Sequence, residues 1–373
     1  MANTNNRLWM TVLACGSVAL GCTGDGNRVD AGPVSAACPA SHNVGYQELT
    51  FVDSARGRPL NTAIWYPTND GQANTSGQIA GAAPARSSGP YPLIMASHGM
   101  CSSNQEATVF KKDWARHGFV VATPDHQYNT YDDCDLSYQA MMQFARPIDI
   151  RFVLDQVLSL NDDPASFLHG MIDSESIGMT GESFGGHTTL MVAGATPNLD
   201  YLAEYCEINP GSWDICTMQD QIQQLYPGQR IIDESDPRMK AALPIVADGY
   251  GWFRESEMAK IKIPIMLMGG EQDTAAPPEL QQKLMYQAIE STKYLFIQND
   301  AAHFSFLDRC GDDIDLYPLC STLHAQSIPT TTAFWMLYLK NDSTCGDLLQ
   351  TWVPSLSNLL YRSEAAIAPD AGG

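Results

Sequence analysis

Length, composition and charge limit the classes of protein to which this chain can belong. Its 373 residues are enough for one large domain with insertions, and 44% hydrophobic with 17% charged residues are typical of a folded chain. The net charge of −21 opposes binding to phosphate backbones and to anionic lipid headgroups. We therefore predict no nucleic-acid partner.

The N-terminus has the pattern of an export signal. An apolar stretch follows Arg7 and ends at Ala19-Leu20-Gly21-Cys22, which is too short for a membrane span but fits a signal peptide. With a small residue before Cys22, this segment is similar to a bacterial lipobox, a motif whose cysteine is lipidated. Cys15 is a second candidate for the lipidated cysteine, and the alternative to lipidation is a signal peptide that is simply cleaved. We predict a signal peptide over residues 1–21 and an exported protein, either a cell-envelope lipoprotein anchored in the membrane through Cys22 or a secreted protein.

The cysteines indicate disulfides. Once Cys15 and Cys22 are set aside, an even number of the ten cysteines remains, which in an exported chain favours disulfide bonds. Short loops favour the pairs Cys206–Cys216 and Cys310–Cys320, which leaves Cys101–Cys134 and Cys38–Cys345. The sequence contains neither CxxC nor HExxH, so we predict no metal and no other cofactor.

The first part of the mature chain is predicted to be a tether followed by a hairpin. Residues 22–43 are rich in Gly, Ala, Ser and Pro, as flexible tethers are. Alternating apolar residues predict antiparallel strands over 46–52 and 62–66, joined by a turn at 56–59. Residues 70–89 lack periodicity and are predicted to form a loop.

From residue 92 onwards, short apolar runs alternate with helical stretches. The predicted strands are 92–96, 119–122, 176–180, 242–247, 263–268 and 293–298. The predicted helices are 105–117, 147–160, 187–195, 278–291 and 325–339. This alternation is typical of buried parallel strands with crossover helices. We predict one α/β domain over residues 44–362, with a doubly wound, mostly parallel sheet and helices on both faces, followed by a flexible tail over 363–373.

A Gly-x-Ser-x-Gly motif lies between a predicted strand and a predicted helix. In Gly181-Glu182-Ser183-Phe184-Gly185, the two glycines remove side chains that would collide in a tight strand-to-helix turn. Ser183 would then stand at a helix N-terminus, where the helix dipole and the backbone N–H of Phe184 face a developing oxyanion. We predict Ser183 as a nucleophile and Phe184 as an oxyanion donor.

Several motifs together resemble those of the α/β-hydrolase fold. They are Ile64-Trp65-Tyr66-Pro67, Ser97-His98-Gly99, His117-Gly118-Phe119-Val120-Val121-Ala122, Arg146-Pro147-Ile148-Asp149 and the motif around Ser183. Within that fold the chain resembles dienelactone-hydrolase-like proteins, platelet-activating-factor-acetylhydrolase-like esterases and bacterial cutinase-like polyester hydrolases, from about residue 51 to about residue 339. It departs from them in having Glu182 where His is common, and Met100-Cys101 after His98-Gly99.

The resemblance implies a Ser–acid–His triad. In this fold the acid follows a late strand and the histidine lies in a loop near the end of the domain. Asp273, in a Gly-x-x-x-Asp segment after strand 263–268, is the predicted acid; Asp248 is the alternative, because acetylhydrolase-type relatives place their acid there. His303, in Ala302-His303-Phe304, is the predicted general base, and His324 is the alternative.

The resemblance also implies the surroundings of the nucleophile. The second oxyanion donor would be the backbone N–H of Met100, after His98-Gly99. The side chains of Met100 and Phe184 would form apolar walls, and Trp252 resembles the aromatic residue that bounds the substrate cleft in relatives. Residues 198–238 would be a small lid-like insertion, whose excess of carboxylates disfavours anionic substrates.

These features predict an exported serine esterase. It would cleave neutral carboxylic esters, short to medium acyl chains first, through an acyl-enzyme intermediate on Ser183. The alternatives are a cutinase-like polyester hydrolase of the poly(ethylene terephthalate) type and a lipase or acetylhydrolase. An inactive surface-binding lipoprotein is the alternative from a different class.

Overall fold

The fold is built on one large sheet. A computed structural model describes residues 36–71, 77–208, 216–308 and 317–366. The strands, in chain order, are β1 (Asn43–Asp53), β2 (Arg58–Thr68), β3 (Ile79–Ala80), β4 (Tyr91–Ser97), β5 (Val120–Pro124), β6 (Ile172–Glu182), β7 (Met239–Ile245), β8 (Ile265–Gly270), β9 (Lys293–Gln298) and β10 (Leu359–Glu364).

The strands form a mostly parallel sheet in the order β10-β9-β8-β7-β6-β4-β5-β2-β1-β3. From β9 to β5, all neighbouring strands are parallel. At one edge β2 pairs antiparallel with β5 and with β1, and at the other edge β10 pairs antiparallel with β9. The apolar runs from residue 92 onwards form the parallel centre, so the prediction of a mostly parallel α/β sheet is confirmed.

Helices connect the strands. They are α1 (Thr108–Arg116), α2 (Gln139–Asp162), α3 (Phe184–Val192), α4 (Leu199–Ile208), α5 (Gln219–Leu225), α6 (Glu255–Met258), α7 (Gln282–Ala288), α8 (Tyr317–Lys340), α9 (Ser343–Gly346) and α10 (Leu348–Thr351). Short 3-10 helices lie at Arg86–Ser88, Leu136–Tyr138, Tyr250–Trp252, His303–Phe306 and Val353–Ser355. In the described ranges no helix has the length and apolarity that crossing a bilayer requires.

The side chains of β4 show which helices cover each face of the sheet. Leu93 and Met95 pack with apolar residues of α2 on one face. Ile94 and Ala96 pack with residues of α1 and α8 on the other face. Since successive side chains of a strand point to opposite faces, helices cover the sheet on both sides, as buried parallel strands require.

Three helices begin earlier than the sequence predicts: α3 begins at Phe184 rather than at residue 187, and the long helices α2 and α8 begin earlier by more. The predicted start at residue 147 follows the preference of proline for the first turn, but α2 begins at Gln139 and contains Pro147 in its interior. Apolar residues on both sides of the proline, Phe144 and Ile150, are fully buried, and their burial offsets the backbone hydrogen bond that proline removes. In the same way α8 begins at Tyr317 and contains Pro329.

The ends of the domain also differ from the prediction. Residues 36–43, the last part of the predicted tether, belong to the fold, because Cys38 is bonded to Cys345 and Ser41 and His42 donate backbone hydrogen bonds to the carbonyl of Arg116. At the other end, β10 includes residues 363–364 of the predicted tail. The predicted signal peptide, Cys22 and residues 367–373 of the predicted tail lie outside the described residues.

The predicted insertion at 198–238 is helical and packs on the domain. Leu199 and Leu202 of α4 and Ile222 of α5 are buried in an apolar cluster that includes Phe144 of α2. A disulfide between Cys206 and Cys216 joins the two ends of the segment between α4 and α5. The insertion is thus held to the domain by an apolar face.

The disulfides agree with the predicted pairing. The structure contains Cys38–Cys345, Cys101–Cys134 and Cys206–Cys216, which confirms these three predictions. Cys320 is disulfide-bonded, and its predicted partner Cys310 lies outside the described residues.

Loss of the Cys38–Cys345 bond is expected to lower the free energy of unfolding by about 2–5 kcal/mol. These cysteines are 307 residues apart, so their bond restricts nearly the whole unfolded chain and raises its free energy. Urea unfolding of a Cys38→Ala/Cys345→Ala variant measures the loss. The matched Cys206→Ala/Cys216→Ala variant should lose less, because its cysteines are only 10 residues apart. Wild-type stability in the first variant would contradict the prediction.

Candidate active site

Ser183 lies on a strained turn between β6 and α3. Its φ of 54° and ψ of −118° fall in a region that residues other than glycine rarely adopt. The turn is tight, because a Cβ atom at Gly185 would lie 1.9 Å from the carbonyl oxygen of Ser97, and one at Gly181 would lie 2.3 Å from that of Gly185. The backbone N–H of Ser183 donates to the carbonyl of Ile245 at 2.9 Å. The two glycines of the motif therefore permit a turn that presents the serine at the end of the sheet.

The structure brings Ser183, His303 and Asp273 together. The Oγ atom of Ser183 lies 2.9 Å from Nε2 of His303, and Nδ1 of His303 lies 2.8 Å from Oδ2 of Asp273. The other carboxylate oxygen, Oδ1, accepts hydrogen bonds from the backbone N–H groups of Ala275 and Ala276 at 2.9 and 2.7 Å. This network assigns the proton of the neutral imidazole to Nδ1, which leaves Nε2 free to accept the serine proton.

The alternative residues have other partners. His324, on α8, makes its ring hydrogen bond to the carbonyl of Ser305 at 3.1 Å and packs against the ring of Phe110. Asp248 follows β7 and interacts electrostatically with Arg146 and Glu182. The hydrogen bonds that join an acid, a histidine and Ser183 are those of Asp273 and His303.

The loop after β4 carries His98, Gly99 and Met100. The N–H of Gly99 donates to a carboxylate oxygen of Glu106, and the carbonyl of His98 accepts from Arg146. Nδ1 of His98 lies 2.7 Å from the carbonyl of Gly99. The loop is thus fixed at both peptide groups that precede Met100.

The two side chains predicted as apolar walls differ in exposure. Met100 is 50% exposed, whereas Phe184 is 3% exposed and packs against the guanidinium of Arg146, 4.4 Å from the ring centre. Met100 therefore lies at the surface of the site, and Phe184 lies beneath it.

A buried polar network supports this loop. His126 lies 3.0 Å from the hydroxyl of Ser97 and 3.0 Å from the carboxylate of Asp149. All three residues are buried, so this second Ser–His–Asp arrangement is closed to substrate. Burial and the charge of Arg146 lower the pKa of His126 to about 3, so its ring is neutral. The network is a structural support behind Ser97, next to the loop that carries Met100.

Trp252 occupies a position other than the predicted one. It is 1% exposed and packs against Phe144 and His187, with ring centres 5.9 and 5.8 Å away. The structure therefore makes Trp252 a core residue, in the same apolar cluster as the buried residues of the insertion, and it does not bound an open cleft.

Exposed apolar side chains lie next to His303 and on a loop that is bonded to the loop of Met100. Phe304, whose ring centre lies 5.2 Å from that of His303, is 54% exposed. The loop that carries Tyr131, 73% exposed, and Leu136, 61% exposed, is bonded to the loop of Met100 through Cys101–Cys134. Across the described ranges, no group of three His, Cys, Asp or Glu side chains is arranged to hold a metal ion.

Comparison with known proteins gives distant relatives. No protein-family model matches the chain. The chain is similar to cutinase est2 and cutinase est1 of Thermobifida alba, with 24% and 23% identity over 222 residues, 59% of this chain and 55% and 56% of the relatives. It is also similar to cutinase 2 of Thermobifida cellulosilytica, with 22% identity over 59% of this chain and 63% of the relative. The chain thus spans less than two thirds of the relatives that it matches.

This similarity supports a cutinase-like α/β-hydrolase.

Proposed function

We propose that this protein is a serine carboxylesterase with the α/β-hydrolase fold, in which Ser183 is the nucleophile, His303 the general base and Asp273 the acid. The observation that carries the proposal is the continuous hydrogen-bond chain of 2.9 and 2.8 Å from Ser183 through His303 to Asp273. Its position at a strained strand-to-helix turn adds support, because such a turn exposes a serine hydroxyl beside backbone N–H donors.

In the first half of the reaction, Ser183 Oγ attacks the ester carbonyl and passes its proton to Nε2 of His303. The carbonyl oxygen becomes an oxyanion, which the backbone N–H groups of Phe184 and Met100 stabilise. The intermediate then collapses, the bond to the alcohol breaks, and His303 donates the proton to the leaving oxygen. The product is an alcohol and an acyl group on Ser183.

In the second half, a water molecule replaces the alcohol. His303 takes a proton from the water, whose oxygen attacks the acyl carbon, and then returns that proton to Ser183 as the carboxylic acid leaves. Asp273 stays ionised throughout and stabilises the imidazolium of His303. The two backbone N–H groups that Asp273 accepts hold its carboxylate in the orientation that this task needs.

The substrate that fits is a neutral ester. Met100 and Phe304 are exposed and apolar, and the carboxylates of Glu106 and Asp273 lie at the loop of Met100 and at His303. A substrate with its own carboxylate or phosphate would be repelled by these groups and by the net charge of −21. A polyester chain is the second candidate substrate, because the apolar side chains around the site are exposed at the surface and a polymer could reach them.

The remaining sequence predictions stay part of the proposal. The disulfides fit an exported protein, with Cys22 as its lipidation site or with a plain cleaved signal. Residues 198–238 are proposed as a small lid-like insertion. Resemblance to dienelactone-hydrolase-like proteins and to acetylhydrolases leaves a lipase or acetylhydrolase as an alternative within the same fold.

An ester panel tests the proposed substrate class. We expect p-nitrophenyl butyrate to be hydrolysed with a higher kcat/KM than p-nitrophenyl palmitate, because the exposed apolar surface offers limited burial for a long acyl chain. Release of soluble products from a polyester suspension measures activity on polymers, and Ser183→Ala is the control for background hydrolysis. A strong preference for palmitate, or no activity on any neutral ester, would contradict this proposal.

A further inference from the structure

Two carboxyl groups converge on the loop that carries Met100. Glu182, which precedes the nucleophile at the end of β6, is 4% exposed. Glu106, just before α1, accepts the N–H of Gly99. A Cβ atom at Gly99 would lie 2.5 Å from Oε2 of Glu182 and 3.2 Å from Oε1 of Glu106, so both side chains touch the same residue. The nucleophile turn and the oxyanion loop therefore meet through two carboxyl groups.

The same pair lies next to the catalytic base. Oε1 of Glu182 is 3.9 Å from Nε2 of His303, and this oxygen is buried with no hydrogen-bond partner among the described residues. Its other carboxyl oxygen, Oε2, faces Gly99, and the carboxyl group of Glu182 is within hydrogen-bonding reach of Glu106. Two carboxyl groups that meet at a buried site interact best when they share one proton, because one of them can then donate to the other.

The surrounding charges favour the protonated form of Glu182. Burial, Glu106 and the nearby carboxylates of Asp273 and Asp248 raise its pKa well above the usual range. The cations that face the pair are fully buried. They are Lys111 of α1 and Arg146 of α2. Lys111 donates to the carbonyl of Asn104 at 2.9 Å, and burial lowers its pKa to about 8.

We propose that Glu182 and Glu106 share a single proton in the active enzyme, and that Glu182 is a positioning residue that holds the oxyanion loop against the nucleophile turn. This inference rests on the proposed esterase function. Protonated Glu182 donates to the Glu106 carboxylate, which in turn accepts the N–H of Gly99. That chain of hydrogen bonds fixes the peptide that precedes Met100, whose N–H is the proposed second oxyanion donor.

The shared proton makes activity depend on pH in one direction. Below its raised pKa, Glu182 is neutral and the pair carries one negative charge. As the pH rises through that pKa, the proton is lost and two adjacent carboxylates repel each other, so the hydrogen bond between the turn and the loop breaks. Activity should therefore fall on the alkaline side.

The test compares pH profiles of kcat/KM for a soluble butyrate ester, followed by proton release. In wild type we expect an alkaline fall of about tenfold per pH unit above the pKa of the pair. Glu182→Gln keeps a neutral donor to Glu106, so its activity at neutral pH should stay within about threefold of wild type and the alkaline fall should disappear. Glu182→Ala should lose about 10²-fold in kcat at all pH values with little change in KM, as loss of an oxyanion donor does.

Controls separate this inference from other effects. Glu175→Gln, an exposed carboxylate on the same strand, should keep the wild-type profile. Infrared spectroscopy should detect the C=O band of a protonated carboxylic acid at neutral pH in wild type and not in Glu182→Gln, a measurement that needs no activity. An unchanged alkaline fall in Glu182→Gln, or absence of that band in wild type, would overturn the shared proton. An inactive wild type would instead overturn the proposed esterase function.

Discussion

Replacement of Ser183 with alanine is expected to lower kcat/KM by about 10⁴–10⁶ without unfolding the protein. In the proposed mechanism the hydroxyl forms the acyl-enzyme, and in the structure it makes its hydrogen bond to His303 rather than to the core. Removing it therefore eliminates the reaction path while the turn keeps its backbone contact with Ile245. Hydrolysis of p-nitrophenyl butyrate measures the loss, and thermal unfolding checks the fold.

The same result should follow from His303→Ala, and the two losses should not add. Both residues act in one proton transfer, so the double variant is expected to be about as inactive as either single variant. His169→Ala is a matched control, because His169 is exposed and its ring lies 3.2 Å from the backbone carbonyl of Asn161, near the end of α2. Additive losses would show that the residues act independently.

Covalent labelling addresses the alternative of an inactive binding protein. An organophosphonate should react with wild type at Ser183, much more slowly with His303→Ala, and not at that position in Ser183→Ala. Mass spectrometry of the digested protein identifies the labelled residue. A wild type that stays unlabelled would favour the inactive surface-binding lipoprotein.

The parallel centre of the sheet could be predicted from the sequence because most of its strands contain a short, continuous apolar run. A strand buried on both faces needs such a run whatever its neighbours are. The edge strand β10, Leu359–Glu364, was not predicted. It is partly exposed and polar at its end, and it is a strand because it pairs with β9, which a local pattern does not reveal.

Some residues of the site could likewise be predicted from the sequence, and others could not. Ser183, Asp273 and His303 each follow the end of a predicted parallel strand. Because the carboxyl ends of parallel strands lie on the same side of a sheet, the sequence alone indicates that the three residues meet there. His126 and Glu106 act through partners distant in the sequence, and neither belongs to a spacing pattern. Their roles could not be predicted, because these roles depend on burial and on the partners that the fold brings to each side chain.

The prediction for Trp252 failed for a related reason. In the sequence Trp252 resembles the aromatic residue that bounds the substrate cleft in relatives, but the exposure of a side chain depends on which elements of the fold cover it. Phe144 of α2 packs against one side of the indole and His187 of α3 against another. A large aromatic side chain favours such an enclosed position when neighbouring helices supply the contacts.

Asp273→Asn is expected to lower kcat by about 10⁴, whereas Asp248→Asn should change it less than about tenfold. The reason lies in the two oxygens of Asp273. Oδ1 accepts hydrogen bonds from two backbone N–H groups. The amide nitrogen of an asparagine is itself a donor, so it cannot occupy the position of Oδ1 opposite those two N–H groups. The nitrogen must then take the position of Oδ2, where it donates to Nδ1 of His303.

That exchange forces the wrong tautomer on the base. If Nδ1 accepts a hydrogen bond, the proton of the neutral ring is on Nε2, which lies 2.9 Å from Ser183 and can no longer accept the serine proton. Asp248 interacts electrostatically with Arg146 and Glu182, whereas the hydrogen bond to Nδ1 of His303 is that of Asp273. Steady-state kinetics of the two variants, which differ from wild type by one atom each, decide between the acids. A large loss in Asp248→Asn with near wild-type turnover in Asp273→Asn would assign the acid to Asp248, and the hydrogen bond between Asp273 and His303 would then be structural.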